Sequence, residues 1–263
     1  QPEQWQQLMM TGMQQDFSWK QSARHYIELY EQIQGRTVKP PAPETTTEAP
    51  ATTTTQPEIG LDVVPQNYDD FRAQPTSCEA GAPQPVTPMQ FDAPADLGLS
   101  PDATIAVTMS TSCGDLGIKL DPSLAPETVN SFVFLASEGY FDGSVLHRVI
   151  PGFVAQGGDQ TATGTGGPGY VIPDEFPPPT VAYERGVLAM ANAGPGTTGS
   201  QFFIMLDDGN LPPQYSIFGW VTEGLETLDL LQAVPLGQSP TGVDPMPSTP
   251  LETIYINSVT IEN

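Results

Sequence analysis

The residues that could do chemistry crowd into one stretch, Leu146 to Asp159, reading LHRVIPGFVAQGGD. It holds His147, one of 2 histidines, and Arg148, which with Lys119 and Arg185 makes up the only cations after residue 100. A Pro-Gly turn (Pro151, Gly152) divides it into two short alternating runs, which predict a bent strand pair. Leu146, Arg148 and Ile150 point one way, and His147 and Val149 the other. Beyond the turn, Phe153, Ala155 and Gly157 alternate with Val154 and Gln156. On such a bent pair Arg148, Phe153 and Gln156 could share one surface, and a guanidinium, an apolar ring and an amide on a β-surface suit an extended peptide and its carbonyls. The alternation alone leaves a plainer reading open, with Arg148 a solvated strand residue and Phe153 part of the core.

Other chemistries find less support. The run Gly164 to Gly169 (GTGGPG) resembles a phosphate loop only superficially, since it lacks the Lys-Ser/Thr and a following helix; it predicts a tight surface loop that uses positive φ. Cys78 and Cys113 sit in no CxxC or Cys/His cluster, so a zinc site is not expected. A disulfide between them, as in an exported protein, and two free thiols both stay open. The chain carries 31 Asp and Glu against 8 Lys and Arg, a formal charge of −23. Such a surface repels nucleic acid and anionic lipid, and neither is expected as a partner. It tolerates a salty medium, where its self-repulsion is screened; a halophilic source and an ordinary acidic secreted protein both fit. No apolar run is long enough to cross a membrane, so no membrane insertion is expected. A first residue of Gln1 rather than Met predicts a fragment or a processed product.

The elements that must position the central stretch follow in order. Residues 1–36 read as a helical tail, with Trp5, Leu8, Met9 and Met13 at helical spacing and a second stripe from Ser22 to Tyr30. Residues 37–60 are a Pro/Thr-rich linker with almost nothing apolar to bury, predicted disordered or polyproline-like. Residues 61–100 read as an extended arm packed on the next domain through Cys78. From 101 to 263 the pattern becomes mainly β. Ile105, Val107 and Met109, then Leu116, Ile118 and Leu120, alternate around a Gly114-Asp115 turn and predict a hairpin. Pro126 opens a helix that buries Val129, Phe132, Val133 and Ala136 and stops at Gly139. Further strands are predicted at 187–191, 201–206 and 217–221, a short helix from Leu225 to Val234, and a last strand bulged near Asn257. Short strands with two helices and glycine-rich turns argue for a barrel.

Two stretches carry a family resemblance. HRVIPGFVAQGGD, and RGVLAMANAGPGTTGSQFFIML from Arg185 to Leu206, resemble the signatures of the cyclophilin family of peptidyl-prolyl isomerases, with GTGGPGY and IFG in the matching order. The resemblance covers about Thr104 to Glu262. It implies a closed eight-stranded antiparallel barrel with a helix capping each end, and isomerisation of X–Pro bonds in unfolded or extended polypeptides without any cofactor. Arg148 matches the family's catalytic arginine. Phe153, Val154, Phe203 and Leu211 match the walls of the proline pocket, and Gln156, Ala191, Asn192 and Gln201 the groove for the substrate backbone. Phe203 also reads as plain core and Asn192 as a turn residue; His147 reads as structural. Where eukaryotic members carry a tryptophan and then a histidine, this chain has Asn210 and Tyr215, which implies weak cyclosporin binding. A non-catalytic module that binds proline peptides, as a chaperone or adaptor, is the alternative. Residues 1–36 contain GMQQDFSWKQSARHYIELY, which is similar to the C-terminal end of bacterial glycogen synthases. That tail would suit the cytoplasm; the linker, the acidity and the paired cysteines suit an extracellular or cell-surface protein, here expected to be a monomer.

Overall fold

The computed structural model describes residues 63–262. The readings of the helical tail and of the Pro/Thr linker lie outside the described residues.

Within the arm, the chain forms a short helix, α1 (Tyr68–Ala73), where the sequence suggested extended chain throughout. Its cap explains it. The Asn67 side chain accepts from Asp70 N, Asp69 and Asp70 fill the first turn, and Arg72 closes the last, matching the helix dipole at both ends. Phe71 is buried with Val145, Ala162 and Tyr255. A single 3₁₀ turn follows at Ser77–Glu79, and Cys78 is joined to Cys113 by a disulfide, with Cα atoms 5.2 Å apart. Further on, Phe91 meets Phe134 edge to face at 5.1 Å.

The main sheet has eight antiparallel strands: β1 (Ile105–Thr111), β2 (Gly114–Leu120), β3 (Arg148–Ile150), β4 (Val154–Gly157), β5 (Val187–Met190), β6 (Phe202–Met205), β7 (Ile217–Glu223) and β10 (Ile256–Ile261), with β8 (Leu236–Gly237) and β9 (Thr249–Pro250) forming a separate pair. The order is β10-β1-β2-β7-β5-β6-β4-β3. The expected bulge lies at Asn257, where Ser110 pairs with Ser258 and Thr111 with Ile256. The sheet curls until its two edges meet, but no regular ladder closes it. An isolated bridge between Val145 and Tyr255 joins the chain ahead of β3 to the chain ahead of β10, with Leu146 N donating to Ile254 O at 2.9 Å. The barrel is thus sealed by a seam rather than by a strand pair.

Helices α2 (Pro126–Ser137) and α3 (Leu225–Ala233) accompany the sheet. Helix α2 buries Val129, Phe132, Val133 and Ala136 as its pattern predicted. Gly139, just past its end, takes φ +70, the left-handed stop that glycine favours. Ala125 has no side chain to cap the first turn, and the Glu175 carboxylate does so from afar, accepting from Glu127 N and Thr128 N at 3.1 and 2.8 Å. Phe132 anchors the core, stacked on Phe141 at 5.0 Å and edge-on to Phe202 at 5.8 Å.

Candidate active site

The β3–β4 hairpin places the central residues. Gly152 at φ +70 makes the turn, and register then sets Arg148 opposite Gln156. Gln156 in turn faces Phe203 on β6, and Phe203 faces Ala189 on β5. Directly opposed residues project from the same face of a sheet, so Arg148, Gln156, Phe203 and Ala189 form one row across four strands. The sequence reading placed Phe153 on one surface with Gln156, although strict alternation sets the two out of phase. In the structure Phe153 belongs to the turn, and it is Val154 that shares the phase of Gln156 on β4.

This face carries its own apolar cluster. Val154, Tyr183, Val187, Ala189, Phe203, Met205 and Ile217 are buried there, with Phe153, Ala191, Leu211 and Tyr215 packed against them half-buried. Phe202 and Phe203 divide as alternation demands, Phe202 into the main core and Phe203 into this cluster. Tyr215 stands edge-on to Phe203 at 5.5 Å. Tyr183 supports it, donating from its hydroxyl to Tyr215 O at 2.7 Å.

Polar groups border the cluster. Arg148 Nη1 donates to Gln156 Oε1 at 3.0 Å, Gln156 Nε2 to Gln201 Oε1 at 3.0 Å, and Gln201 Nε2 to Gly164 O and Gly166 O. Ala191 N donates to Gln201 O. The Asn192 amide donates to Gln214 O and accepts from Gly194 N, so it does serve its turn. Gln156, Ala191, Asn192 and Gln201 all line one open cleft of about 750 Å³. A second, of about 460 Å³, is lined by Arg148, His147, Gln156, Asn192, Tyr215 and Asp244. Cys78 and Cys113 line neither.

Asp244 and Ser248 shape the site and carry no legible signal in the sequence. The Asp244 carboxylate binds Arg148 through two hydrogen bonds, from Nε at 2.8 Å and from Nη2 at 2.7 Å. The guanidinium beside Asp244 holds its carboxyl below the usual aspartate range against the opposing effect of burial, with a further hydrogen bond from Ser248. Asp159, wholly buried, organises the glycine loop by accepting from Thr161 N, Gly164 N and Gly166 N. Burial raises its carboxyl pKa, but the hydrogen bond from the Thr161 hydroxyl, with those from Gly166 N and Thr161 N and the nearby His147, outweighs it and the net shift is downward. Gly166 is obligatory there, because a Cβ would sit 2.0 Å from Asp159 Oδ1. His147 is buried and its pKa is lowered from 6.5 to about 4, chiefly by desolvation; a neutral ring beside Arg148 agrees with a structural role. Among the described residues, no group of three or more His, Cys, Asp or Glu is placed to hold a metal ion.

A curled antiparallel barrel with a fixed guanidinium, a row of side-chain amides and an apolar patch on one face defines a class of protein by its fold and by an arrangement of groups that suits an extended peptide. Residues 106–261 match the family model described as cyclophilin type peptidyl-prolyl cis-trans isomerase/CLD, and the chain belongs to that family. It is 44% identical over 142 residues to the probable peptidyl-prolyl cis-trans isomerase B of Mycobacterium leprae, covering 48% of each chain. It is 41% identical over 173 residues to peptidyl-prolyl cis-trans isomerase B of Streptomyces anulatus, covering 59% of this chain and 95% of that one. The chain thus spans about half the length of the mycobacterial relative. Among solved structures, a cyclophilin type peptidyl-prolyl cis-trans isomerase of Cryptosporidium parvum is similar, with a TM-score of 0.55 and 34% identity over 61% of this chain and 99% of that one. Another structure of that protein was determined in the presence of the dipeptide Ala-Pro.

Proposed function

We propose that this chain is a peptidyl-prolyl cis-trans isomerase acting on X–Pro bonds of unfolded or extended polypeptides. The observation that carries the proposal is the row Arg148–Gln156–Phe203 on one face of the sheet. Rotation about an X–Pro bond is slow because amide resonance sets a barrier of ~18–20 kcal/mol. Lowering it needs no nucleophile and no proton transfer. It needs a donor aimed at the prolyl nitrogen, which draws the lone pair out of conjugation, and an apolar slot that holds the ring while the flanking carbonyl turns. Arg148 is the donor. Phe153, Val154, Phe203 and Leu211, with Tyr215 at the rim, are the slot. Gln156, Ala191, Asn192 and Gln201 hold the substrate backbone. The relative's structure with Ala-Pro supports a proline-containing peptide as substrate.

The decisive experiment follows isomerisation of a proline tetrapeptide by wild type and Arg148→Ala. Loss of one placed donor lowers kcat/KM by roughly a hundredfold or more while proline-peptide binding persists. A wild type that binds the peptide without turning it over would make the chain an adaptor. We further propose that the protein assists folding outside the cytoplasm, as a monomer. The Cys78–Cys113 disulfide supports that location, since such bonds persist in oxidising compartments; labelling of intact cells with an impermeant reagent tests it.

A further inference from the structure

Strand geometry alone leaves an arginine side chain free to swing, and the donor role of Arg148 requires one orientation. The guanidinium is gripped on its side by Asp244, which accepts from Nε at 2.8 Å and from Nη2 at 2.7 Å. Asp244 Oδ2 accepts at once from Ser248 Oγ at 2.6 Å. The residues between β8 and β9 that carry this carboxylate are themselves tied down. Gln238 Nε2 donates to Asp244 O, Ser248 N to Gly237 O, and Val149 N on β3 to Ser248 O. The side chain of Asp244 is 6% exposed and that of Arg148 28%, so the clamp is buried while part of the guanidinium stays open to the cleft. A guanidinium has five N–H donors. Three are taken by Asp244 and Gln156, and one N–H on each terminal nitrogen is left for a ligand.

We propose that Asp244, braced by Ser248, is the positioning residue for Arg148: its carboxylate fixes the guanidinium plane so that the two remaining N–H donors keep a single orientation beside the bound X–Pro bond. This deepens the isomerase reading and rests on Arg148 as the donor. The bidentate contact suits the task because a planar fork on a planar carboxylate restricts rotation as well as translation. It also pairs the charge, so the substrate meets an oriented donor rather than a bare cation.

The test uses the full chain and a proline tetrapeptide, comparing wild type, Asp244→Asn, Ser248→Ala, Arg148→Ala and the double variant Arg148→Ala/Asp244→Asn. Asn keeps the shape but puts an amide donor where an acceptor is needed. Asp244→Asn lowers kcat by roughly ten- to a hundredfold, the scale of a misplaced catalytic group, with KM within about twofold. Ser248→Ala moves kcat the same way by less, and carries the test if Asp244→Asn does not fold. In the Arg148→Ala background Asp244→Asn costs nothing further, which a merely structural aspartate would not satisfy. The Arg148 Nε–H resonance, sharp and slow to exchange in wild type, broadens in Asp244→Asn. Wild-type turnover in a folded Asp244→Asn, with Arg148→Ala inactive, overturns this inference alone. An additive loss in the double variant does the same. Turnover that survives Arg148→Ala overturns the role of Arg148 and this inference together.

Discussion

His147 shows how far burial decides what a residue next to the chemistry can do. Its ring sits inside the barrel wall beside Arg148, and desolvation lowers its pKa from 6.5 to about 4, with the Arg148 charge adding to the effect and Asp159 opposing it. Unfolding returns it to its ordinary value. Between about pH 6.5 and 4 the unfolded chain therefore binds a proton that the folded chain refuses, and stability falls as the pH drops through that window. The full loss is about 3 kcal/mol. Urea unfolding at closely spaced pH values measures it, and His147→Gln flattens the curve over this window; parallel curves for the two proteins would refute the assignment. Asp159 and Asp244 have lowered pKa values, so their stabilisation is lost only at more acid pH, below the usual aspartate range. The two effects separate by window.

Among the elements, the arm and the glycine loop matter more than their irregular sequence suggests. The Cys78–Cys113 bond spans 35 residues, and closing a loop of that size stabilises by about 3–4 kcal/mol through the unfolded chain. A Cys78→Ser/Cys113→Ser variant is expected to unfold at correspondingly lower urea and to speed amide exchange in α1, while strands β4 to β7 keep their protection. Exchange that accelerates uniformly would instead make the arm part of the barrel's cooperative unit. In the glycine loop, Gly166→Ala drives a Cβ into Asp159 and displaces the carbonyls that accept from Gln201. It should raise KM several-fold with little change in kcat, because Arg148 is untouched. Helix α2, the β1–β2 hairpin and the bulge at Asn257 were legible in the sequence because period, turn residues and phase are local properties. Three members of the row across the sheet were legible, Arg148 and Gln156 because they lie eight residues apart across one turn, and Phe203 through its family motif. Asp244 was not. It stands 96 residues from Arg148 in a Pro/Gly-rich loop, and no local pattern tells one acidic residue in such a loop from the others. The arm helix was missed for a related reason, because its one buried aromatic, Phe71, finds its partners Val145, Ala162 and Tyr255 only in the folded barrel.

For the molecule as a whole, the charge imbalance should govern which substrates arrive. After residue 100 there are 18 Asp and Glu against Lys119, Arg148 and Arg185. Arg148 and Arg185 are paired, with Asp244 and Asp229, so among the described residues most carboxylates have no cation within ion-pair distance. Asp207 and Asp208 are exposed beside Gly209, close along the chain to Leu211 in the apolar cluster. A field of one sign speeds encounter with oppositely charged ligands and is screened within about 10 Å at 0.1 M salt. A tetrapeptide X–Pro substrate flanked by lysines should therefore show a kcat/KM several-fold above its glutamate-flanked counterpart at about 0.02 M salt, where screening is weak. The two values should converge near 1 M, where the screening length falls to about 3 Å. The same salt should raise the unfolding temperature, as the self-repulsion of the folded surface is relieved. Equal values for the two peptides at low salt would show that the field does not reach the groove, and would confine the role of the acidic surface to solubility.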